Sequence, residues 1–569
     1  MKNLSLVLLL LISTVSFAQN PDLLSQTSEV NNLMVNFNAD RGTLERFYFV
    51  TNSPERRERM KTLYNDYLTK LNALPYESLS IEGKVDFILF RRDLESYLYL
   101  NAQEEKEVNQ LTKLVAQADP IYTAEKKRRR GEVMNWQDLA KQWNDVNKSI
   151  TAAIGKLPSE PNYTRALANR AEGIVKGQQK ALKSVFEFYD GYDPQFTWWV
   201  KKPFGKLDTT LTRYAEALKK KVDPATLPKD DGSGIIGNPV GREELMRQLQ
   251  YEMIPYTPED LIDIANKEFA WCDAELLKAS REMGFGDKWK EAQEKVKMSF
   301  VPEGHQPEAM VKLYNESVEF IKKHDLITIP PLSEEIWRMT MMSPQRQLVS
   351  PFFLGGEVLM ISYPTDEMDH EDKLMSMRGN NPHFSRSTVH HELIAGHHLQ
   401  GFMNDRNKAY RTFYTPFWIE GWALYQEFIL WDLGFPRGPE DRIGMLFWRM
   451  HRCARIIFSL NYHLGRWTPQ QCIDFLVDRV GHERANAAGE VRRSFTTDYP
   501  PLYQLAYMVG GLQFYAMKKE LVDSGKMTYK QYHDAVMREN SMPVEMVRAL
   551  ITNTPPKKDF KSTWKFYQK

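Results

Sequence analysis

The chain has few cysteines, no excess charge of either sign and no long apolar run, and each shortage removes a class of function. Three cysteines in 569 residues, Cys272, Cys453 and Cys472, are too few to staple an exported protein with disulfides. Buried free thiols are the expected state, ahead of a Cys453–Cys472 pair. The 75 Lys and Arg balance 74 Asp and Glu, for a net charge of +1, so bulk charge asks for neither nucleic acid nor an anionic membrane as partner. The densest basic run, Lys126 to Arg130, has acidic residues on both sides and reads as a solvated helix face. After the first 18 residues no apolar run approaches the ~18 needed to cross a bilayer, so no stable membrane insertion is expected. No Gly-x-Ser-x-Gly elbow occurs, and the cysteines lack a reactive setting, which disfavours a serine or cysteine hydrolase. Internal repeats and long low-complexity tracts are also lacking.

What is present begins with an export signal. Lys2, the apolar stretch Leu4–Ile12 and Ser16-Phe17-Ala18 have the layout of a secretory signal peptide cut after Ala18. The mature chain is therefore expected in the periplasm or outside the cell. Most of the remainder reads as helix, so the fold class is mainly α. Met60, Leu63, Tyr64, Tyr67, Leu68 and Leu71 follow the spacing of one buried helical face. Pro307 opens another helix, with Val311, Tyr314, Val318 and Ile321 as its stripe. A Pro- and Gly-rich stretch, Asp223–Gly241, marks a loop or boundary. We divide the chain into residues 1–18 (signal), 19–300 (N-terminal helical region) and 301–569 (the region holding the histidine cluster). Leu348–Leu354 and Glu357–Tyr363 break the helical pattern. Gly355-Gly356 between them predicts a hairpin, with Pro351 confining the first run to an edge. Such an edge could pair with an extended peptide.

Of 12 histidines, five (His383, His390, His391, His397 and His398) crowd positions 383 to 398, where even spreading would put fewer than one. Imidazole is the commonest metal ligand, so the cluster points to a metal site. His391-Glu392 begins like His-Glu-x-x-His, in which two histidines one turn apart grip zinc and the glutamate reaches the metal's water. Here Ala395 stands four residues on. On a regular helix neither His397 nor His398 can share a metal with His391. The first is rotated by about 240°, and the second lies about 10 Å along the axis. A bulge at Ala395-Gly396 would return His397 to the second-ligand position. Thr415-Pro416 caps a following helix that carries Glu420, a candidate third ligand, and Glu427 seven residues on, placed to support the site or meet a substrate amine. Gly421 costs that helix about 1 kcal/mol relative to Ala, and a close approach to another helix or to substrate would account for it.

His391 to Gln400 resembles the His-Glu-x-x-Pro-Gly-His-His-x-Gln signature of the bacterial family known as domain of unknown function 885. Glu420 to Glu427, Arg455 to His463 with Trp467-Thr468, and Tyr503 to Gly510 resemble its later motifs. Ala395 replaces the family's Pro, leaving Gly396 to make the bulge alone, and Ser459 stands where the family tends to have Asp. The resemblance implies a gluzincin-like metallopeptidase with a large two-lobed helical fold akin to oligopeptidases and a small β-hairpin or sheet near the site. It implies His391, His397 and Glu420 as ligands of a Zn2+ cofactor and Glu392 as general base. The expected partner is a peptide or oligopeptide. Glu392 would take a proton from the metal's water and pass it to the leaving amine. Tyr507 is the first choice for stabilising the oxyanion, with His463 and Tyr503 behind it. The alternatives are an inactive metal- or peptide-binding protein and a zinc hydrolase of other amides.

Overall fold

The structure, a computed structural model, describes residues 28–115, 118–227, 229–347, 355–362, 364–497 and 499–567. The expected signal sequence and the run Leu348–Leu354 lie outside the described residues. The chain divides into two compact units, one formed by Asn32–Pro75 and Leu89–Pro228, the other by Met1–Asn31, Tyr76–Ile88 and Lys229–Lys569. The last of the four passages between them falls inside the loose stretch Asp223–Gly241, and residues 229–300 belong to the unit that carries the histidine cluster.

The first unit is helical. Met60, Leu63, Tyr64, Tyr67 and Leu71 are buried on one face of their helix, as the spacing predicts, while Leu68 is half-buried at the edge of that face. Four further helices, α1 (Asp119–Arg130), α2 (Trp136–Lys156), α3 (Arg165–Tyr189) and α4 (Pro194–Lys219), pack around Trp143, Phe196 and Tyr214. Asn135, Thr164 and Asp193 cap α2, α3 and α4 with side-chain oxygens that accept backbone N–H bonds.

In the second unit α5 (Gln306–Lys323) carries Pro307 in its first turn, but its buried face is Met310, Leu313, Tyr314, Val318 and Ile321. Val311, placed on the stripe by spacing, is exposed. Met310 and Leu313 complete the same i, i+3, i+4 ladder one position away, so the apolar face is wider than the stripe. Strands β1 (Arg338–Met341) and β2 (Val358–Ile361) pair in parallel, Arg338 opposite Val358. β2 is thus joined to an earlier strand; the hairpin partner expected across Gly355-Gly356 lies outside the described residues. Among the described residues the small sheet is this parallel pair.

Then come α6 (Pro382–Glu392), α7 (His397–Asn404), α8 (Pro416–Asp432), α9 (Pro439–His463), α10 (Arg484–Thr496) and α11 (Tyr503–Lys518). Asn381 and Thr415 cap α6 and α8, each followed by Pro at the first helical position. α8 is buried on all sides from Pro416 to Leu430 apart from Ile419, the pattern of a helix enclosed by others. It packs against α11 at glycines. A Cβ on Gly421 would lie 2.5 Å from Gly510 Cα, and one on Gly510 would lie 2.1 Å from the Phe417 carbonyl. The close approach inferred from Gly421 is this helix crossing. All three cysteines are free and buried.

Candidate metal centre

The helix carrying His391 and Glu392 stops there. α6 ends at Glu392, Leu393–Gly396 form a non-helical turn, and α7 begins at His397. The sequence predicts a bulge within one helix; the structure makes a break between two. Gly396 has φ −92, which any residue tolerates, but a Cβ there would stand 1.8 Å from the His391 carbonyl oxygen. Close packing, not left-handed backbone, requires glycine at this position. The turn is pinned by Trp422 of α8, whose indole N–H donates to the Ala395 carbonyl at 2.8 Å.

The break brings four side chains together. Ligand atoms of His391, Glu392 and His397 lie within 4.8 Å of one another. Glu420 Oε2 is 3.5 Å from His391 Nε2 and 3.1 Å from His397 Nε2. His398, the other candidate for second ligand, turns away and bonds the Ser333 carbonyl through Nε2 at 2.6 Å. His390 packs against the Phe435 ring, and His383 pairs with Asp441 at 2.7 Å.

The remaining ring nitrogens fix the tautomers. His391 Nδ1 is 2.7 Å from Glu427 Oε1, and a carboxylate can only accept, so Nδ1 carries the hydrogen. Glu427 is itself held by the Ser387 hydroxyl at 2.6 Å. His397 Nδ1 faces Gln400 Oε1 at 3.1 Å, and the Gln400 amide is oriented by donating to the Trp418 carbonyl at 3.3 Å. Both imidazoles therefore turn Nε2 toward one carboxylate oxygen. Glu420 Oε1 accepts from the Tyr503 hydroxyl at 2.5 Å.

This arrangement attracts positive charge. Burial opposes a proton on His397, yet the Glu420 carboxylate outweighs it and raises the pKa to about 9. His391 is also raised, against its burial, by Glu420 and Glu427. Burial would raise Glu420, but His397 and His391 hold it well below the carboxylate range. A divalent cation answers the same demand. Donor atoms at the corners of a tetrahedron with bonds of about 2 Å stand about 3.3 Å apart, close to the 3.1 and 3.5 Å found here. His391 and Glu420 are buried, while Glu392 and His397 are partly exposed. The cluster is thus closed behind and open on the side of Glu392.

Tyr507 stacks on His391, rings 15° apart with centroids at 6.1 Å. The guanidinium groups of Arg452 and Arg455 lie 4.6 and 4.4 Å from its ring centre. His463 is instead buried beside Tyr462 and Phe495. Neither of its ring nitrogens has a hydrogen-bond partner among the described residues, and burial lowers its pKa to about 4. Ser459 directs its hydroxyl to the Pro501 carbonyl. Gly355 lies against Glu392, where an added Cβ would be 2.2 Å from Glu392 Cβ, and the Gly356 N–H donates to the Glu392 carbonyl at 3.3 Å. The segment leading into β2 therefore borders the open side.

Sequence reasoning missed Ser387, Gln400 and Trp422 as supports. Ser387 had a signal, since it sits one turn before His391 on the same helical face. Trp422 had none, because its partner is a backbone carbonyl of another element.

Residues 48–551 match the family described as bacterial proteins of unknown function, domain of unknown function 885. The chain belongs to that family. Its fold is shared by a candidate lipoprotein of unknown function from Shewanella oneidensis. That structure is 16% identical over 92% of this chain and 100% of the other, with a TM-score of 0.65. A candidate lipoprotein from Colwellia psychrerythraea is 15% identical over 88% of this chain and 91% of the other, with a TM-score of 0.55. No curated protein matches the chain.

Proposed function

We propose that this protein is an exported zinc-dependent hydrolase of peptide bonds, with His391, His397 and Glu420 as metal ligands and Glu392 as general base. The observation that carries the reading is the convergence of two Nε2 atoms on Glu420 Oε2, each imidazole oriented from behind by Glu427 or Gln400. Of the two carboxylates beside the histidines, Glu420 is the better ligand because one of its oxygens approaches both rings, whereas Glu392 is partly exposed on the open side. When bound, zinc supplies a Lewis acid that polarises a carbonyl and brings a water near ionisation at neutral pH. Glu392 then holds the proton taken from that water at a carboxylate oxygen and returns it to the leaving nitrogen. Tyr503 holds Glu420 in place through its hydroxyl, and Tyr507, packed on His391, is the group assigned to the oxyanion. A substrate strand would lie along the Gly355–Ile361 segment next to Glu392.

Export is supported by the signal layout of residues 1–18 and by the description of both structural neighbours as candidate lipoproteins. No helix of the described residues is long and apolar enough to cross a membrane. The test is metal analysis with peptide-library digestion. Wild type should hold about one zinc per chain. His391→Ala should lose it, and Glu392→Gln should keep it while losing turnover. Full turnover in Glu392→Gln would refute the base assignment. Metal binding without turnover in wild type would favour a binding protein.

A further inference from the structure

The balanced net charge of the chain conceals a local feature of the first unit. At one end of that unit the α1–α2 loop meets the α3–α4 loop. The Trp136 indole donates to Asp193 at 3.0 Å, and its ring packs on Tyr189 and Phe196 at 4.8 and 5.1 Å. These inward rings complete the core. Their sequence neighbours point outward: Val133 is 98% exposed, Tyr192 82%, Trp198 78% and Phe188 53%. Along α4 the division is regular. Phe196, Val200, Pro203 and Leu207 are buried, while Trp198, Lys201 and Lys202 lie on the outer side. The fold does not need the outward aromatics. Single exposed apolar residues are ordinary, but several large ones on two adjoining loops and the helix ends beside them are the mark of an interaction surface.

The helix turns flanking these loops are basic, although the loops themselves carry Glu132, Asp190 and Asp193. Across residues 126–136 and 183–206, nine Lys and Arg stand against four Asp and Glu. Lys126, Arg128, Arg129, Lys183 and Lys201 pair with carboxylates, whereas Lys127, Arg130, Lys202 and Lys206 make no ion pair among the described residues. The run Lys126–Arg130, read from sequence as a merely solvated face, occupies the last turns of α1 beside this patch. Arg128 lies 5.6 Å from the centre of the Phe188 ring. Trp and Tyr favour the level of lipid headgroups, and surrounding Lys and Arg are drawn to anionic headgroups, each adding roughly fivefold in affinity.

We infer that this end of the first unit docks the protein peripherally on an anionic phospholipid surface, with Tyr192 and Trp198 seated at headgroup level and the basic residues around them. No helix of the described residues is long and apolar enough to cross a membrane, and the contact proposed is interfacial. The inference is independent of the metal centre, which belongs to the other unit.

The test is co-sedimentation of the chain from Gln19 onward with phosphatidylcholine vesicles, with and without phosphatidylglycerol. Measurements are made at about 0.05 M and about 0.5 M salt, which shortens the screening length severalfold. Binding is expected to the phosphatidylglycerol vesicles at low salt, falling at least tenfold at high salt. It should also fall at least tenfold in Tyr192→Ser/Trp198→Ser and in Lys127→Glu/Lys202→Glu. All four positions are exposed, and unchanged circular dichroism and metal content would verify the fold of each variant. Wild type that stays in the supernatant at low salt would overturn the inference. So would an aromatic variant that sediments as well as wild type, or binding that ignores both salt and lipid charge.

Discussion

The substitution Gly421→Ala tests whether the crossing of α8 and α11 sets the proposed metal centre. The added Cβ would stand 2.5 Å from Gly510 Cα, 2.6 Å from Gly510 C and 3.0 Å from Gly511 N. Carbon atoms in contact prefer about 3.5–4.0 Å, so the helices must part by about 1 Å. All three neighbours are backbone atoms, and no rotamer change can relieve them. Overpacking of this kind costs about 1–3 kcal/mol, partly offset by the ~1 kcal/mol by which Ala outranks Gly in a helix. The net loss is up to about 2 kcal/mol, a fall of up to a few degrees in Tm. The effect on the site should be larger than the effect on stability. Glu420 precedes Gly421, and its carboxylate must meet His391, His397 on α7 and Tyr503 on α11 at once. A shift of about 1 Å exceeds the ~0.5 Å tolerance of such constellations, and zinc affinity should drop by at least tenfold. The assay is thermal unfolding together with zinc titration against a competing chelator. Gly205→Ala serves as the control. That glycine lies within α4, exposed, with no atom within 4 Å of an added Cβ, so the change should stabilise by about 0.5–1 kcal/mol. A Gly421→Ala chain that melts at or above wild type and binds zinc as tightly would refute the reasoning.

Other parts of the second unit give further tests. Glu427→Gln weakens the acceptor that orients His391 Nδ1, and zinc affinity should fall about 10–100-fold in the same titration. Arg411 is fully buried and donates to Asp86 at 2.8 Å, to Glu539 at 2.9 Å and to Glu82. Arg411→Met strands the buried Asp86 carboxylate and should cost about 3–5 kcal/mol in urea unfolding. Glu490 is buried, and although burial would raise its pKa, Arg455 and Arg493 lower it to about 2. A depressed carboxylate contributes stability above its unfolded pKa of about 4.3 and loses it as pH falls toward the folded value, here by a few kcal/mol. Wild type should therefore lose stability between about pH 4.5 and pH 2, and Glu490→Gln should show a flatter acid limb from a lower starting stability. An identical acid limb in the two chains would contradict the pairing.

The sequence makes legible those features that rest on local chemistry. Thr415-Pro416 begins α8 because a hydroxyl cap and a residue without an N–H both suit a helix start. The buried face around Tyr64 follows from apolar spacing alone. Gly421 signals a close approach because only contact justifies glycine in mid-helix, and the contact is Gly510. What escaped depends on partners distant in sequence. β2 pairs with Arg338–Met341, a choice that Gly355-Gly356 does not encode, and Gly355 lets the chain pass beside Glu392. The turn between His391 and His397 lies between these cases. Regular helix geometry excludes a shared metal, so the sequence demands a departure near Gly396, but a bulge and a break satisfy that demand equally well. The choice is made elsewhere, by Trp422 holding the Ala395 carbonyl and by Gln400 reaching back to His397 while bonded to Trp418. Both contacts tie the turn to α8, the helix that also presents Glu420. One helix therefore fixes the path of the chain between the two histidines and supplies the carboxylate between their rings, so the two imidazoles and the glutamate are positioned together.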